Sequence, residues 1–439
     1  MRKLLLLVVC FVAVNAAYAQ YQQIAQDSLQ NQLAGGLGLN WLNNQPFYDL
    51  RLTPDIAFGK VGVGLDLDLQ FDAHGDLRKE DFKTASDYIR VIRYLRYGTE
   101  TDTVFVKLGE LDYVTLGDGS IINQYDNSPS FDARRTGMQF NLNFDKYGIQ
   151  TLYSNFAQAG VVGARAFVKP LQLTSMTDVP ILSSFEIGAT YATDFDKYAT
   201  ATIVDTTNPF TIQTNGALSI YGGDIDFPLI HAGITSIDVF GDYAKINNFG
   251  SGTAAGVLFK FDFPILVNVT AKVERQFNQA HYIPGYFDNL YEIERFDTVQ
   301  LASKYMSLGA ANTSTHGIFG DLLVQVLGTF DILGSFQKLD GSNNSGIFHS
   351  YCNVTPESSP IVVRAGYDKV GIYSFQDLIT TDDRSLAYLE GGYKPIPYII
   401  VSMMYLWNWT PVYNSGNDIT GYAPQRSIQP KVTFVYNVP

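Results

Sequence analysis

Beginning at residue 61 the chain alternates with a period of two. Val61, Val63, Leu65, Leu67, Leu69 and Phe71 interleave with Gly62, Gly64, Asp66, Asp68, Gln70 and Asp72. Successive side chains of an extended strand point to opposite faces, so this stretch carries one oily face and one wet face over about eleven residues. A strand in a water-soluble sheet usually has about five or six residues, whereas a tilted strand crossing a bilayer needs about 9–11. The same pattern returns with Met138, Phe140, Leu142 and Phe144 against Gln139, Asn141 and Asn143, and with Val267, Val269, Ala271 and Val273 against Asn268, Thr270, Lys272 and Glu274. Such strands suit an all-β, antiparallel sheet closed into a transmembrane barrel, with lipid outside and water inside.

Composition supports this and removes rivals. The chain has 38 Gly, 28 Tyr and 29 Phe among 439 residues, a blend of turn formers and strand formers. It is too aromatic for a disordered tail. A net charge of −13 disfavours nucleic acid, which is bound through clustered Lys and Arg. A β-propeller would repeat a signature every 40–50 residues or so, and none is found.

Turn spacing predicts the strand count. Short connections are expected at Phe58-Gly59-Lys60, Asp145-Lys146-Tyr147, Phe227-Pro228-Leu229, Phe263-Pro264, Gly328-Thr329, Asp368-Lys369 and Lys394-Pro395-Ile396-Pro397. Polar stretches at 73–85, 115–135, 195–215, 244–252, 277–314, 339–360 and 409–427 are expected to face the other side, with one long exception, 169–183, among the short turns. Short periplasmic turns and long extracellular loops alternate in this way in outer-membrane barrels. The count comes to about 20 strands, within a range of about 16 to 22. A ring of about 20 strands is roughly 40 Å wide, too wide for wall side chains to fill, so water or inward loops must occupy it. Tyr88, Tyr94, Tyr97, Tyr398, Tyr405, Trp407 and Trp409 lie near predicted strand ends, where aromatic rings form interfacial girdles.

At the N-terminus, Arg2 and Lys3 precede an apolar run over 4–14, and Ala17-Tyr18-Ala19 resembles a cleavage site. The expected organisation is a signal peptide over 1–19, a short periplasmic segment over 20–34 and the barrel over 35–439. Cys10 lies within the apolar run behind Val9, which argues against lipidation. After cleavage Cys352 is the only cysteine, so no intrachain disulfide is expected.

The run Val104-Phe105-Val106-Lys107-Leu108-Gly109-Glu110-Leu111-Asp112-Tyr113-Val114-Thr115-Leu116-Gly117 is similar to the porin strand that leads into a constriction loop. Val432-Thr433-Phe434-Val435-Tyr436 is similar to the aromatic C-terminal signal of barrels, although this chain continues through Asn437-Val438-Pro439. On these segments and its architecture the chain resembles Gram-negative outer-membrane porins and porin-like barrels. The resemblance implies residence in the bacterial outer membrane, delivery to the barrel-insertion machinery, contact with membrane lipid and lipopolysaccharide, and a homotrimer by analogy alone.

The segment 115–135 is the candidate inward loop. Arg90, Arg96, Asp118, Asp126, Asp132, Arg134 and Arg135 are the candidate constriction residues, since opposed charges across a narrow passage filter solutes by sign and size. A solvated surface loop is the plain alternative. Asp66, Asp68, Lys272 and Glu274 are expected to face the lumen. Asp66, Asp68, Asp262 and Glu274 weighed against Lys260, Lys272 and the arginines predict at most a weak cation preference. Arg93 falls on the lipid face of its strand, which predicts either snorkelling or a bulge.

No G-x-S-x-G, Walker, H-E-x-x-H or paired CxxC pattern occurs. No enzymatic activity, cofactor or metal is expected, and His74 beside Asp72 and Asp76 is the one nameable catalytic candidate. The 340–346 stretch, rich in Asp and Asn, lacks the closing Glu of a calcium loop. The aromatic 282–291 segment reads as a lid packed on itself, or as a surface for sugars or proteins. The function expected is a channel for small polar solutes. The alternatives are a non-conducting barrel for docking, adhesion or assembly, and a barrel enzyme.

Overall fold

The computed structural model describes residues 31–42, 45–78, 88, 91–128, 134–158, 160–174, 182–199, 216–264, 266–297, 302–327, 329–342, 344–354, 360–414 and 419–438. The signal-peptide reading and Cys10 lie outside them. The main sheet has 22 hydrogen-bonded segments. Two pairs of these segments are collinear, Gln45–Leu52 with Asp55–Phe58 and Val61–Leu65 with Leu67–Phe71, so the wall has 20 staves. Every neighbouring pair in the wall is antiparallel, and the ring returns on itself where Asn31 to Leu37 of the first strand pair with Val438 to Val432 of the last. The first strand, Asn31–Leu42, begins four residues before the expected barrel start at 35.

The strand faces follow the alternation. Leu95, Ile149, Ile187, Ile225, Val273, Phe277, Ile318, Leu389 and Val401 are large apolar side chains exposed on the outside. Their neighbours in the strands, such as Asp66, Gln139, Arg165, Asp224, Glu274 and Glu390, are buried on the inside. An apolar exterior on a sheet without edges is the form in which strands cross a bilayer, because every backbone polar group is paired around the ring.

The connections at the end that carries the termini are short (59–60, 98–103, 144–146, 233–234, 264–266, 327–329, 355–360 and 397–398), with 169–185 the long exception. At the opposite end lie the long loops 72–91, 110–136, 195–217 and 279–314. Four local expectations are corrected. Phe227-Pro228-Leu229 is no turn: the strand Leu218–Ala232 continues through a bulge between Pro228 and Ile230, which accommodates the missing proline N–H. Asp368-Lys369 is no turn either, lying within Ile361–Ile372. The stretch 339–360 contains a full strand, Gly346–Val354. The stretch 409–427 is mostly strand, interrupted only over 414–418.

Arg93 marks a bulge. The register with the 61–65 strand jumps from Tyr94 to Ile92, so Arg93 and Tyr94 both turn inward while Ile92 and Leu95 stay outside. Tyr94 therefore leaves the expected girdle: it is 2% exposed and donates its hydroxyl to Asp55. Arg93 Nη2 reaches the same carboxylate at 2.9 Å.

Candidate functional site: a lumen narrowed by two inward loops

The described parts of the loops 110–136 and 279–314 fold into the barrel. Leu111, Val114, Leu116, Ile121, Ile122 and Tyr125 from the first pack with Tyr286, Phe287, Tyr291 and Leu308 from the second. Their floor is an apolar part of the inner wall: Leu152, Val161, Ala192, Leu218, Ile220, Ala244 and Ile246. The approach is close enough that a methyl group at Gly163 would collide with Ile122, and one at Gly252 with the ring of Tyr282. A short parallel ribbon, with Phe287 beside Ile122 and Asp288 beside Asn123, joins the two loops. The aromatic 282–291 segment is thus packed inside, with Phe287 and Tyr291 edge to face at 4.9 Å between centroids; the rings of Tyr286, Phe287 and Tyr291 are buried and present no surface to a solute, whereas Tyr282 lines a cavity beside the loops.

Charged groups latch this assembly. Glu292 accepts the Tyr125 hydroxyl and pairs with Arg135, with Arg295 Nη1 at 3.7 Å. Arg295 Nη2 lies 2.6 Å from Asp194 Oδ1, and Tyr291 donates to Asp194 Oδ2 at 2.5 Å. Lys304 sits between Asp288 and Glu294 at 3.1 and 2.9 Å. Asn127 accepts the Leu111 N–H at 2.9 Å and donates to the Ser154 carbonyl at 2.8 Å, tying the loop to the wall.

The expected constriction residues separate by location. Arg134 pairs with Asp66, which also takes two bonds from Arg51 at 2.7 and 2.9 Å, and Arg134 Nε lies 3.5 Å from Glu110. Arg135 belongs to the Glu292 latch. Asp126 accepts the Ser128 N–H at 2.7 Å within its own loop, and burial, with Asp112 and Glu110 nearby, pushes its carboxyl well above the usual range. Arg96 is buried, with Nη1 3.4 Å from the Gly98 carbonyl. Asp118 sits at the loop tip, where burial and the neighbouring Asp242 push it up to about 7. Arg90 and Asp132 lie outside the described residues. Arg134 and Arg135 therefore hold the inward loop in place, and Asp126 bonds within that loop; the three do not form two opposed rows across an opening. Sequence spacing did not reveal Glu110 and Glu292 as partners of the two arginines, or Arg51 as a second partner of Asp66.

Asp66 and Asp68 lie on the inner face of their strand, and Lys272 and Glu274 on the inner face of Val267–Asn278. Lys272 Nζ is 2.9 Å from Glu274 and 2.5 Å from the backbone oxygen of Asp118, so it pins the loop tip to the wall. Glu186, Asp224 and Asp226 bring their carboxylates within 4.8 Å of one another. Arg165 fills the centre of that group, 2.8 Å from Glu186, in contact with Asp224 and 3.7 Å from Asp226. A guanidinium already supplies the positive charge there.

Beside the loops a cavity of about 240 Å³ remains, bounded by the loops and by the strands from Ser251–Phe263 to Gly346–Val354. Its walls include Lys272, Glu274, Gln276, Asp321, Gln337 and His349. His349 Nδ1 is 2.8 Å from Asp368, a pairing across two strands that no local spacing signals. His74 contributes its backbone N–H to Asp72, at 2.8 Å, in a turn capped by that carboxylate, which also takes the Asp76 N–H. Asp340, in the Asp- and Asn-rich turn, is taken by Arg275, which holds its carboxyl below the usual range.

No family model matches the chain, and no curated protein matches it. Among solved structures it is similar to Wzi, an outer membrane protein of Escherichia coli involved in group 1 capsule assembly and described as a carbohydrate-binding β-barrel. That match has 9% identity, covers 97% of this chain and 89% of the other, and has a TM-score of 0.40. It is also similar to the outer membrane protein OpdK of Pseudomonas aeruginosa, with 11% identity, 93% and 97% coverage and a TM-score of 0.35. A BenF-like porin from Pseudomonas fluorescens Pf-5 has 9% identity, 93% and 98% coverage and a TM-score of 0.36. These overlaps are loose, and the barrel is established by the chain's own closed strand pairing.

Proposed function

We propose that this barrel sits in the bacterial outer membrane and passes small hydrophilic solutes through a lumen that its own loops reduce to a narrow path. One observation carries the reading. The inward loops pack on one side of the lumen, and on the other side a polar cavity of about 240 Å³ is left against the wall. Inner walls of this kind serve diffusion: polar groups hold water and solute weakly enough for both to leave. No catalytic step is assigned to the lumen. Insertion through the barrel machinery, contact with lipopolysaccharide and a trimeric assembly belong to the same reading. Single-channel recording of refolded protein tests it: discrete conductance steps are expected, and a bilayer that stays sealed at all voltages rejects the channel.

The second reading, a non-conducting barrel for docking or assembly, is favoured by the apolar core between the loops, which is drier than a diffusion path needs. The same recording separates the two.

A further inference from the structure

We infer that the residual cavity is a recognition site for a neutral, polyhydroxylated solute of about the size of one sugar ring. The inference rests on the reading of the lumen as a solute path and specifies what that path selects.

The charges of the lining are mostly engaged. Lys272 is held by Glu274 and the Asp118 carbonyl, and the Asp288 and Glu294 carboxylates are held by Lys304. What faces the space unengaged is chiefly amide. The side chains of Gln124, Asn289 and Gln337 make no hydrogen bond among the described residues. Gln276 is the most telling. It is 7% exposed, its Nε2 donates to Glu274 Oε1 at 2.6 Å, and that bond fixes which end of the amide is oxygen. Its Oε1 is buried without a partner.

A buried carbonyl oxygen without a donor keeps its full desolvation penalty, and a hydroxyl is the donor that relieves it without bringing a charge. Each amide offers a donor and an acceptor on one side chain, as does each hydroxyl, so a ring of amides matches a run of hydroxyl groups and gives no net attraction to an ion. Asp321, which takes no hydrogen bond among the described residues, suits two adjacent hydroxyls as a bidentate acceptor. Tyr282 and Phe319 supply apolar surface for the C–H bonds of a ring. At about 240 Å³ the cavity is below the roughly 300–1,000 Å³ of sites for drug-sized molecules, which limits it to a small solute.

The test uses the refolded full-length chain, with D-glucose as the neutral probe and 1,5-diaminopentane as a cationic probe lacking hydroxyls. In planar bilayers glucose should interrupt the current in a concentration-dependent way and the diamine should not. Gln337→Leu and Gln124→Leu, which tolerate the change at partly exposed positions, should each raise the half-blocking glucose concentration by about tenfold or more. Calorimetric titration of glucose into the detergent-solubilised protein provides a readout that needs no current. A conducting channel with neither block nor heat from glucose, or one blocked by the diamine alone, overturns the inference and leaves the channel standing. A sealed bilayer with glucose heat lost in both variants overturns the channel and keeps the ligand class. A sealed bilayer without heat overturns both.

Discussion

On the strands between Gly137 and Ile246 the upper inward positions carry Leu152, Val161, Ala192, Leu218, Ile220, Ala244 and Ile246. On the strands between Thr315 and Ile396 the inward positions carry a small apolar cluster, Leu333, Tyr351 and Tyr388, among Asp321, Asp331, His349, Asn353, Arg364 and Glu390, which are knitted by bonds such as Ser402 to Glu390 at 2.6 Å and Arg364 to Glu390 at 3.2 Å. Both arcs obey the same outward alternation. The inner face of a wide barrel is therefore written by whatever lies against it. Where loops dock it is a dry core worth about 1.5–3 kcal/mol for each large side chain buried, and where water lies it is a hydrogen-bonded polar net.

The largest effect expected from breaking this division comes from the docked side. Phe287→Ala combined with Tyr291→Ala removes two aromatic anchors, each worth about 3–5 kcal/mol when truncated in a core. Single-channel conductance should rise severalfold, and protease should begin to cut within 279–314. Unchanged conductance would show that the docked side is not what narrows the path. Next comes Glu292→Gln, whose side chain is 1% exposed and which faces Arg135 and Arg295. Removing one partner of a buried ion cluster costs about 3 kcal/mol or more, visible as a lower unfolding midpoint in detergent.

A smaller effect sharpens the boundary between the arcs. Asp118, at the loop tip, is raised from 3.8 to about 7 by burial and then by Asp242, with Lys272 and Arg165 opposing the shift. A carboxyl raised in the docked state binds its proton more tightly there, so its contribution to docking is fully present below about pH 4 and is lost as pH rises toward 7. Open probability should climb between those values and level off above them, and Asp118→Asn should flatten the profile. The smallest effect is at the rim. Arg275 and Asp340 are exposed, and Asp340→Asn should leave both conductance and the unfolding midpoint unchanged.

The wall was legible in the sequence because lipid imposes a strict rule on alternate residues. The 61–71 run and the 267–274 run express that rule, and the count of about 20 staves followed from them together with the alternation of connections, although four of the expected connections prove to be wholly or partly strand. Legibility failed where neither face is purely apolar. In Gly346–Val354, Ile347, His349, Tyr351 and Asn353 alternate with Phe348, Ser350 and Cys352, and this mixture reads as loop. Asp368 and Lys369 look like a turn because charges usually mark solvent. Here Lys369 is fully buried beneath the 373–384 connection, 3.3 Å from Asp377 and 3.2 Å from Asp382. The inward course of the 115–135 segment was suggested by its length and charge. Its true anchors, Leu116, Ile122 and Tyr125, were not distinguishable from wall residues, because their partners lie on 282–308, far along the chain.

The ribbon that sets Phe287 beside Ile122 has a mechanical consequence. Two flaps sharing backbone hydrogen bonds are coupled: one cannot swing away without stripping donors and acceptors from the other. Gating by these flaps should therefore be concerted, a single all-or-none step in the current record with no half-open level between its extremes.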